Sequence, residues 1–298
     1  VSGVGSGDVG DSSGGDVGDS SGGDVGGRGV RTGFVTQTHT GEVTWQKAIE
    51  EGANLGFDFA ELYLDGATER TKLDPAAVRS LADEQGIDLL VHLPFVDVEI
   101  GSPREGIREA SREEQKACVE TAEAMGAEKA VLHASSHATP PEWTREDVEP
   151  YLLSAIRELD TFGEEHGVEI CVENLPGILF TVHDFDRIFA ETDAAMTFDT
   201  GHARVDGMDA EDMESFLTAH GDRISHIHVN DARGPADEHV PTGSGTLDLA
   251  TALAPVRDGW SGTVSVEVYS FDFDYLELSK RKLDEAIREN GSESNQSS

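Results

Sequence analysis

The sequence predicts an α/β protein, a single closed (β/α)8 or TIM barrel, with a disordered, acidic, glycine-rich N-terminal tail. Three observations predict it. Eight short apolar segments alternate with helix signals, which implies a parallel sheet. The stretch between the low-complexity ends is about 260 residues, near the ~250 typical of such barrels. Imidazole and carboxylate side chains recur where the strand candidates finish. The reading divides the chain into a tail at 1–29, a barrel at 30–290 and a loose, polar C-terminus at 291–298.

The tail repeats Gly7-Asp8-Val9-Gly10-Asp11-Ser12-Ser13-Gly14 at 15–22 and starts again at Gly23. Such a segment cannot bury enough apolar surface to offset the entropy lost on ordering. It is not a phosphate loop, because no strand precedes it and no Lys-Ser or Lys-Thr follows. The strand candidates are Gly33–Gln37, Phe59–Tyr63, Ile87–His92, Ala130–His133, Val168–Glu173, Met196–Asp199, Ile224–Val229 and Thr263–Val268. Several are apolar on both faces, as parallel strands covered by helices should be. Between them, Ser111-Arg112-Glu113-Glu114 reads as a capping box opening a helix. Cys118, Ala122 and Met125 continue that helix at helical spacing, and Gly126 can end it. Leu152, Ile156, Leu159 and Phe162 form a second stripe ending near Gly167. Cys118 and Cys171 both read as small buried hydrophobes, so neither a disulfide framework nor a cysteine zinc site is expected.

Charge bounds the partners. The chain has 59 acidic and 22 basic residues, a formal charge of −37. The tail holds five Asp and Arg28, which leaves −33 on the body. A chain so poor in cations is not a simple nucleic-acid binder, which needs Lys and Arg against phosphates. Only six residues are Lys against 16 Arg. A body this acidic repels itself in dilute salt, and concentrated salt screens that repulsion. The expectation is a halophile's cytoplasmic protein. No apolar run approaches the ~18–20 residues of a membrane span, and the N-terminus lacks the basic-then-apolar pattern of a signal peptide.

Polar residues then end six successive strands: His92, His133, Glu173, Asp199, His228 and Glu267. In an α/β barrel these ends meet on one face, where active sites are built. His202, Asp237 and His239 lie in the following segments and can join them. Carboxylates at the ends of apolar strands are unfavourable unless compensated, and a divalent cation compensates them. Mixed imidazole and carboxylate donors suit Mn²⁺, Zn²⁺, Co²⁺ or Fe²⁺ better than Mg²⁺ or Ca²⁺. His226, two residues before His228, is expected to fill an inner barrel layer.

At these residues a family resemblance becomes visible. Val91-His92-Leu93-Pro94-Phe95, Val172-Glu173-Asn174, Asp199-Thr200-Gly201-His202, His228-Val229-Asn230-Asp231, the Asp237–Gly245 loop and Val266-Glu267-Val268 together resemble the xylose isomerase-like TIM barrel superfamily. The resemblance covers roughly Thr32 to Asn290. Its sugar isomerase and epimerase branch implies one divalent metal on Glu173, Asp199, His228 and Glu267. Its endonuclease IV branch implies three zinc ions on those residues with His92, His133, His202, Asp237 and His239. All nine are present, so ligand number leaves both branches open. The strand Phe59–Tyr63 is similar to the second strand of sugar epimerases, whose Glu faces the pocket, which implies a substrate-binding Glu61.

The preferred reading is a metal-dependent isomerase or epimerase of a sugar or sugar phosphate, working through an enediolate. Glu173 and Glu267 exchange the carbon-bound proton, His202 polarises a substrate oxygen, and Glu61, His92 and Arg204 bind substrate. The alternatives are a three-zinc abasic-site phosphodiesterase and a metal-binding barrel without catalysis. The expected partner is a small sugar, with no nucleic acid and no membrane.

Overall fold

The computed structural model describes residues 29–36, 43–177, 179–234, 236–270 and 272–288. The tail at 1–28, Gln37 of the first strand candidate and the polar end at 291–298 lie outside the described residues. Eight parallel strands form a closed barrel in sequence order. They are β1 (Arg31–Val35), β2 (Phe59–Tyr63), β3 (Asp88–His92), β4 (Lys129–Leu132), β5 (Glu169–Glu173), β6 (Ala195–Asp199), β7 (Ile224–Val229) and β8 (Thr263–Val266). Closure comes from β1 pairing with β8, Arg31 opposite Thr263 and Phe34 opposite Val266.

The outer layer is helical: α1 (Trp45–Asn54), α2 (Pro75–Gln85), α3 (Glu105–Met125), α4 (Arg145–Glu165), α5 (Phe185–Glu191), α6 (Thr200–Val205), α7 (Ala210–His220), α8 (Leu249–Ala252), α9 (Ala254–Arg257) and α10 (Phe273–Ile287). The stripe Cys118, Ala122 and Met125 is buried on α3, and Leu152, Ile156 and Leu159 are buried on α4. Gly126 ends α3 in the left-handed conformation, at φ 79°. None of these helices is long and apolar enough to cross a membrane, among the described residues.

The capping box expected at Ser111 is corrected. Helix α3 starts six residues earlier, at Glu105, and Ser111 is buried inside it. Its hydroxyl is used elsewhere: Oγ accepts the backbone N–H of Glu99 at 2.8 Å and ties down the loop that leads from β3. Tertiary bonding of that loop outweighs a local capping preference.

Because side chains alternate along a strand, every second residue enters the barrel. At Gly33 a Cβ would sit 2.3 Å from the Phe59 ring, so only glycine lets that ring fill the barrel's lower interior. Above it the filling turns polar, with Glu61, Thr197, His226, Thr263 and Ser265 all buried. That polar layer supports the carboxyl ends of the strands.

Candidate functional site

The site stands on the strand ends. His92, Glu173 and Asp199 are the last residues of β3, β5 and β6. His228 is next to last in β7, and His133 and Glu267 directly follow β4 and β8. Glu267 still belongs to the ladder, its N–H donating to Val229 O at 2.9 Å.

Short polar clamps hold these ends together. Asn174 reaches from β5 to β6: its Oδ1 accepts Asp199 N–H at 2.8 Å and its Nδ2 donates to Asp199 O at 3.1 Å. Asn230 Nδ2 donates to Asp199 Oδ2 at 2.9 Å. Asp199 Oδ1 caps α6 by accepting His202 N–H at 2.5 Å. A Cβ on Gly201 would lie 1.9 Å from Asn230 Oδ1, so glycine is required for α6 to start this close to β7. Asp231 organises the next loop, its carboxylate accepting the N–H groups of Ala232, Gly243, Gly245 and Leu247. That loop presents Asp237 and His239. His239 adopts φ 45°, held by Tyr269 N–H donating to its carbonyl at 2.7 Å.

The expected ligands gather in three adjoining groups. The donor atoms of Glu173, Asp199, His228 and Glu267 lie within 4.8 Å of one another, and all four residues are buried. His228 Nδ1 is 3.1 Å from Glu267 Oε2 and 3.5 Å from Glu173 Oε1. The second group is His92, His133 and Glu173, with Glu173 Oε2 at 3.5 Å and 2.9 Å from the two Nε2 atoms. The third is His202, Asp237 and His239, with Asp237 oxygens 3.4 Å and 2.9 Å from the two Nε2 atoms.

Electrostatics tests whether a cation fits. Burial pushes Asp199 up to about 7, with Glu267 and Glu173 adding to it against the pull of His202. Burial also opposes ionisation of Glu267, yet His228 and His239 hold it down at about 2. Glu173 is driven well below the usual carboxylate range by His133 and His228 despite its burial. Burial disfavours the charge on His239, but Glu267 and Asp237 lift it to about 9. Glu173 and Glu267 are thus held ionised by imidazole neighbours while burial works against the charge on Asp199, and a divalent cation meets both demands directly. His92 Nε2, Glu173 Oε1 and His228 Nδ1 are buried and make no hydrogen bond within the described residues. Such orphaned donor atoms within two adjoining groups fit a metal, and their mixture of nitrogen and oxygen suits Mn²⁺, Zn²⁺, Co²⁺ or Fe²⁺.

Two expected substrate contacts are bonded to other protein groups. Glu61 is 0 % exposed and lies one layer below the cluster, its carboxylate bonded to His226, His228 and Ser265. Arg204, on α6, donates to Thr246 Oγ1 at 2.7 Å. His92 is fully buried, with Nδ1 2.9 Å from Leu93 O. His202 Nδ1 is 2.8 Å from Asn174 O. His226 is buried inside the barrel, in the inner layer expected for it.

Sequence reasoning did not assign roles to Asn174, Asn230 and Asp231, although each lies in a motif carrying a ligand. It also passed over an aromatic wall. Phe95 stacks on His133 at 4.2 Å, Tyr63 lies 5.4 Å from Phe95, and Tyr269 lies 4.8 Å from His239. Tyr269 is 55 % exposed, an unusual excess for so large a ring.

A family model described as a xylose isomerase-like TIM barrel matches residues 49–290. The Methanocaldococcus jannaschii protein MJ1311 is 28% identical over 230 residues, 74% of this chain and 78% of its own. Fructoselysine 3-epimerase of Shigella flexneri is 23% identical over 279 residues, 87% of this chain and 97% of its own. The crystal structure of a D-tagatose 3-epimerase-like protein superposes with a TM-score of 0.74 at 25% identity, covering 86% of this chain and 97% of that one.

Proposed function

We propose that this chain, which belongs to the xylose isomerase-like TIM barrel family, is a divalent-metal-dependent isomerase or epimerase of a sugar or sugar phosphate. The observation that carries this reading is the buried group Glu173, Asp199, His228 and Glu267, where two carboxylates from β5 and the end of β8 flank one imidazole. Support for a sugar comes from the relatives, which include a fructoselysine 3-epimerase and a D-tagatose 3-epimerase-like protein.

Glu173, Asp199, His228 and Glu267 would hold the metal. When bound, a divalent cation supplies Lewis acidity toward neighbouring carbonyl and hydroxyl oxygens. The chain's own residues do the rest. Glu173 and Glu267 approach the reacting carbon from different strands, so one carboxylate takes the carbon-bound proton and the other returns it. The one that takes the proton must start ionised, which its imidazole neighbours favour, and the one that returns a proton must first be charged with it from solvent or an imidazolium neighbour. His202, whose Nδ1 is engaged by Asn174 O, turns Nε2 toward Asp237 and is placed to donate to a substrate oxygen. Phe95, Tyr63 and Tyr269 offer flat apolar faces to the C–H faces of a sugar and exclude water. Arg204, two residues after His202 on α6, is the candidate for a hydroxyl or phosphate contact.

Turnover of ketoses in D₂O tests the reading. Proton exchange through a carboxylate places solvent deuterium at the reacting carbon. Product without deuterium from every accepted sugar refutes this route in favour of a hydride shift.

The presence of all three histidine–carboxylate groups favours a second reading, a three-metal phosphodiesterase acting on abasic DNA. Metal analysis after purification in concentrated salt separates the two. About one ion per chain supports the sugar reading. Three ions, with incision of abasic duplex DNA lost in His239→Ala, overturns it.

A further inference from the structure

The polar layer beneath the cluster is not used by the reaction just described. Its centre is Glu61, midway along β2 and 0 % exposed. Three groups surround this one carboxylate. His228 Nε2 is 3.0 Å from Oε1, His226 Nε2 is 3.0 Å from Oε2, and Ser265 Oγ–H donates to Oε2 at 2.5 Å. His226 is itself held from below, with Thr263 Oγ1 2.7 Å from its Nδ1. Thr263 and Ser265 alternate with Glu267 along the same line, so one run of sequence supplies a site carboxylate and the hydroxyls beneath it.

Hydrogen-bond accounting gives this layer a direction. An ionised carboxylate only accepts, so each of its three neighbours must donate. The proton of His228 that faces Glu61 is therefore on Nε2. Its other nitrogen, Nδ1, faces two more carboxylates, Glu173 at 3.5 Å and Glu267 at 3.1 Å, so in the metal-free chain it too carries a proton, which a bound cation would displace. With the cation bound, the opposite tautomer would bury a bare Nε2 lone pair against a carboxylate and turn an N–H toward the donor cluster. Glu61, His226 and His228 lie close enough to form a ligand group of their own. Their 3.0 Å separations and the two hydroxyls that complete the set describe a closed hydrogen-bond layer instead.

We propose that Glu61 is a positioning residue of the metal centre: it fixes the ring and tautomer of His228 so that Nδ1 is presented to the ion, with Ser265 and His226 holding Glu61 in place. The proposal rests on the metal reading above and gives Glu61 a role below the site instead of against the substrate. A carboxylate behind a ligating histidine raises ligand basicity, and its removal typically lowers metal affinity about 10–100-fold.

The test is calorimetric titration of the metal-free full chain with CoCl₂ in concentrated KCl, together with the visible spectrum of the bound cobalt. Glu61→Gln keeps volume and removes the charge that orders the donors. It should bind Co²⁺ about 10–100-fold more weakly and shift the visible bands, with the far-UV circular dichroism of the wild type. Thr197→Val alters another buried polar residue of the barrel interior that has no bond to His228, and should bind within about twofold of wild type. Ser265→Ala loosens Glu61 while leaving the bond between His228 and Glu61 in place, and should show a smaller loss, about threefold or more. A folded Glu61→Gln chain with wild-type affinity and spectrum overturns the proposal, as does an equal loss in Thr197→Val. If Glu61→Gln does not fold, Ser265→Ala decides, and unchanged affinity there overturns it. A wild-type chain that takes up no cobalt overturns the metal reading and this proposal together, whereas a binding wild type with an equally binding Glu61→Gln overturns this proposal alone.

Discussion

The two ends of the barrel are built from the same eight strands and treat charge in opposite ways. At the amino ends, cations and anions neutralise one another inside the protein. Arg31 pairs with Asp88 at 2.6 Å and with Glu128. Lys129, 8 % exposed, donates to Ser225 O and Oγ at 2.6 Å and lies 3.4 Å from Glu169. At the carboxyl ends, Glu173, Asp199, Asp237 and Glu267 face five imidazoles in the three donor groups. One end closes its own electrostatics, which serves stability. The other keeps donor atoms converging without closing them, which is unfavourable for folding and useful for binding a cation.

The comparison breaks first, if it breaks, at the carboxylates. Glu173→Gln and Glu267→Gln keep size and one oxygen but remove the basic site. Each should reduce turnover at least ~100-fold, because general base catalysis alone supplies ~10²–10⁴. The thermal midpoint of the metal-free chain should also fall, since imidazole neighbours stabilise each carboxylate in its charged form. Steady-state kinetics and melting of each variant check this pair of outcomes. Full activity in a metal-loaded variant removes that Glu from the mechanism.

The amino end should lose stability without losing turnover. Lys129→Met leaves the Ser225 acceptors without their donor, a loss of about 1–3 kcal/mol. At roughly 2–4 °C per kcal/mol for a domain of this size, the midpoint should fall by several degrees. Turnover at a temperature where both proteins are folded should stay within about twofold. A large fall in turnover without a fall in midpoint would show that the two ends are not separable.

What could be read from the sequence follows the same division. All eight strands were legible, because parallel strands covered on both faces are short apolar runs, and Phe59–Tyr63 and Ile224–Val229 match in full. The six strand-end residues were legible because each interrupts such a run with an ionisable side chain. Depth along the barrel axis was not legible. Glu61 pairs in register with Leu90, while His92 pairs with Tyr63, so strand stagger puts Glu61 one layer beneath the site rather than in its mouth. Side-chain alternation gives the face a residue occupies but not its height. The clamps were hidden for a related reason, since Asn174 and Asn230 bond Asp199 on a neighbouring strand and Asp231 bonds the folded loop that follows it. Ser111 carried a true local signal that a long-range bond to Glu99 overrode.

Salt sharpens the comparison by acting on neither end. The body's excess acid lies in charges that concentrated KCl screens, whereas the buried clusters are shielded from ions already. The midpoint should rise by a few degrees, about 1–2 kcal/mol in stability, between ~0.1 M and ~2 M KCl. Wild type and Lys129→Met should rise in parallel. A flat or falling midpoint in the wild type would count against the halophile reading drawn from 59 acidic residues and six Lys.

The smallest effect concerns a place at the amino-end rim where acid outweighs base. Asp160, near the end of α4, is pushed up to about 6 by burial and by Glu164 and Asp193, with Arg223 only partly opposing them. Its carboxyl therefore ionises less readily in the folded chain than at its ordinary value of 3.8. The folded state holds this proton more tightly, so stability falls as pH rises from about 4 to about 6 and stays lower above that. Asp160→Asn carries no such charge. At pH 8 it should melt about 1–2 °C higher than wild type, the site's solvent exposure keeping the gain small. The gain should shrink through pH 6 and vanish near pH 4, where the wild-type carboxyl is protonated in both states. Melting curves across that range decide it. A gain that is the same at pH 4 and pH 8 would trace to packing or helix propensity, and a loss at pH 8 would mean that Asp160 is held by Arg223 as firmly as the rest of that end holds its charges.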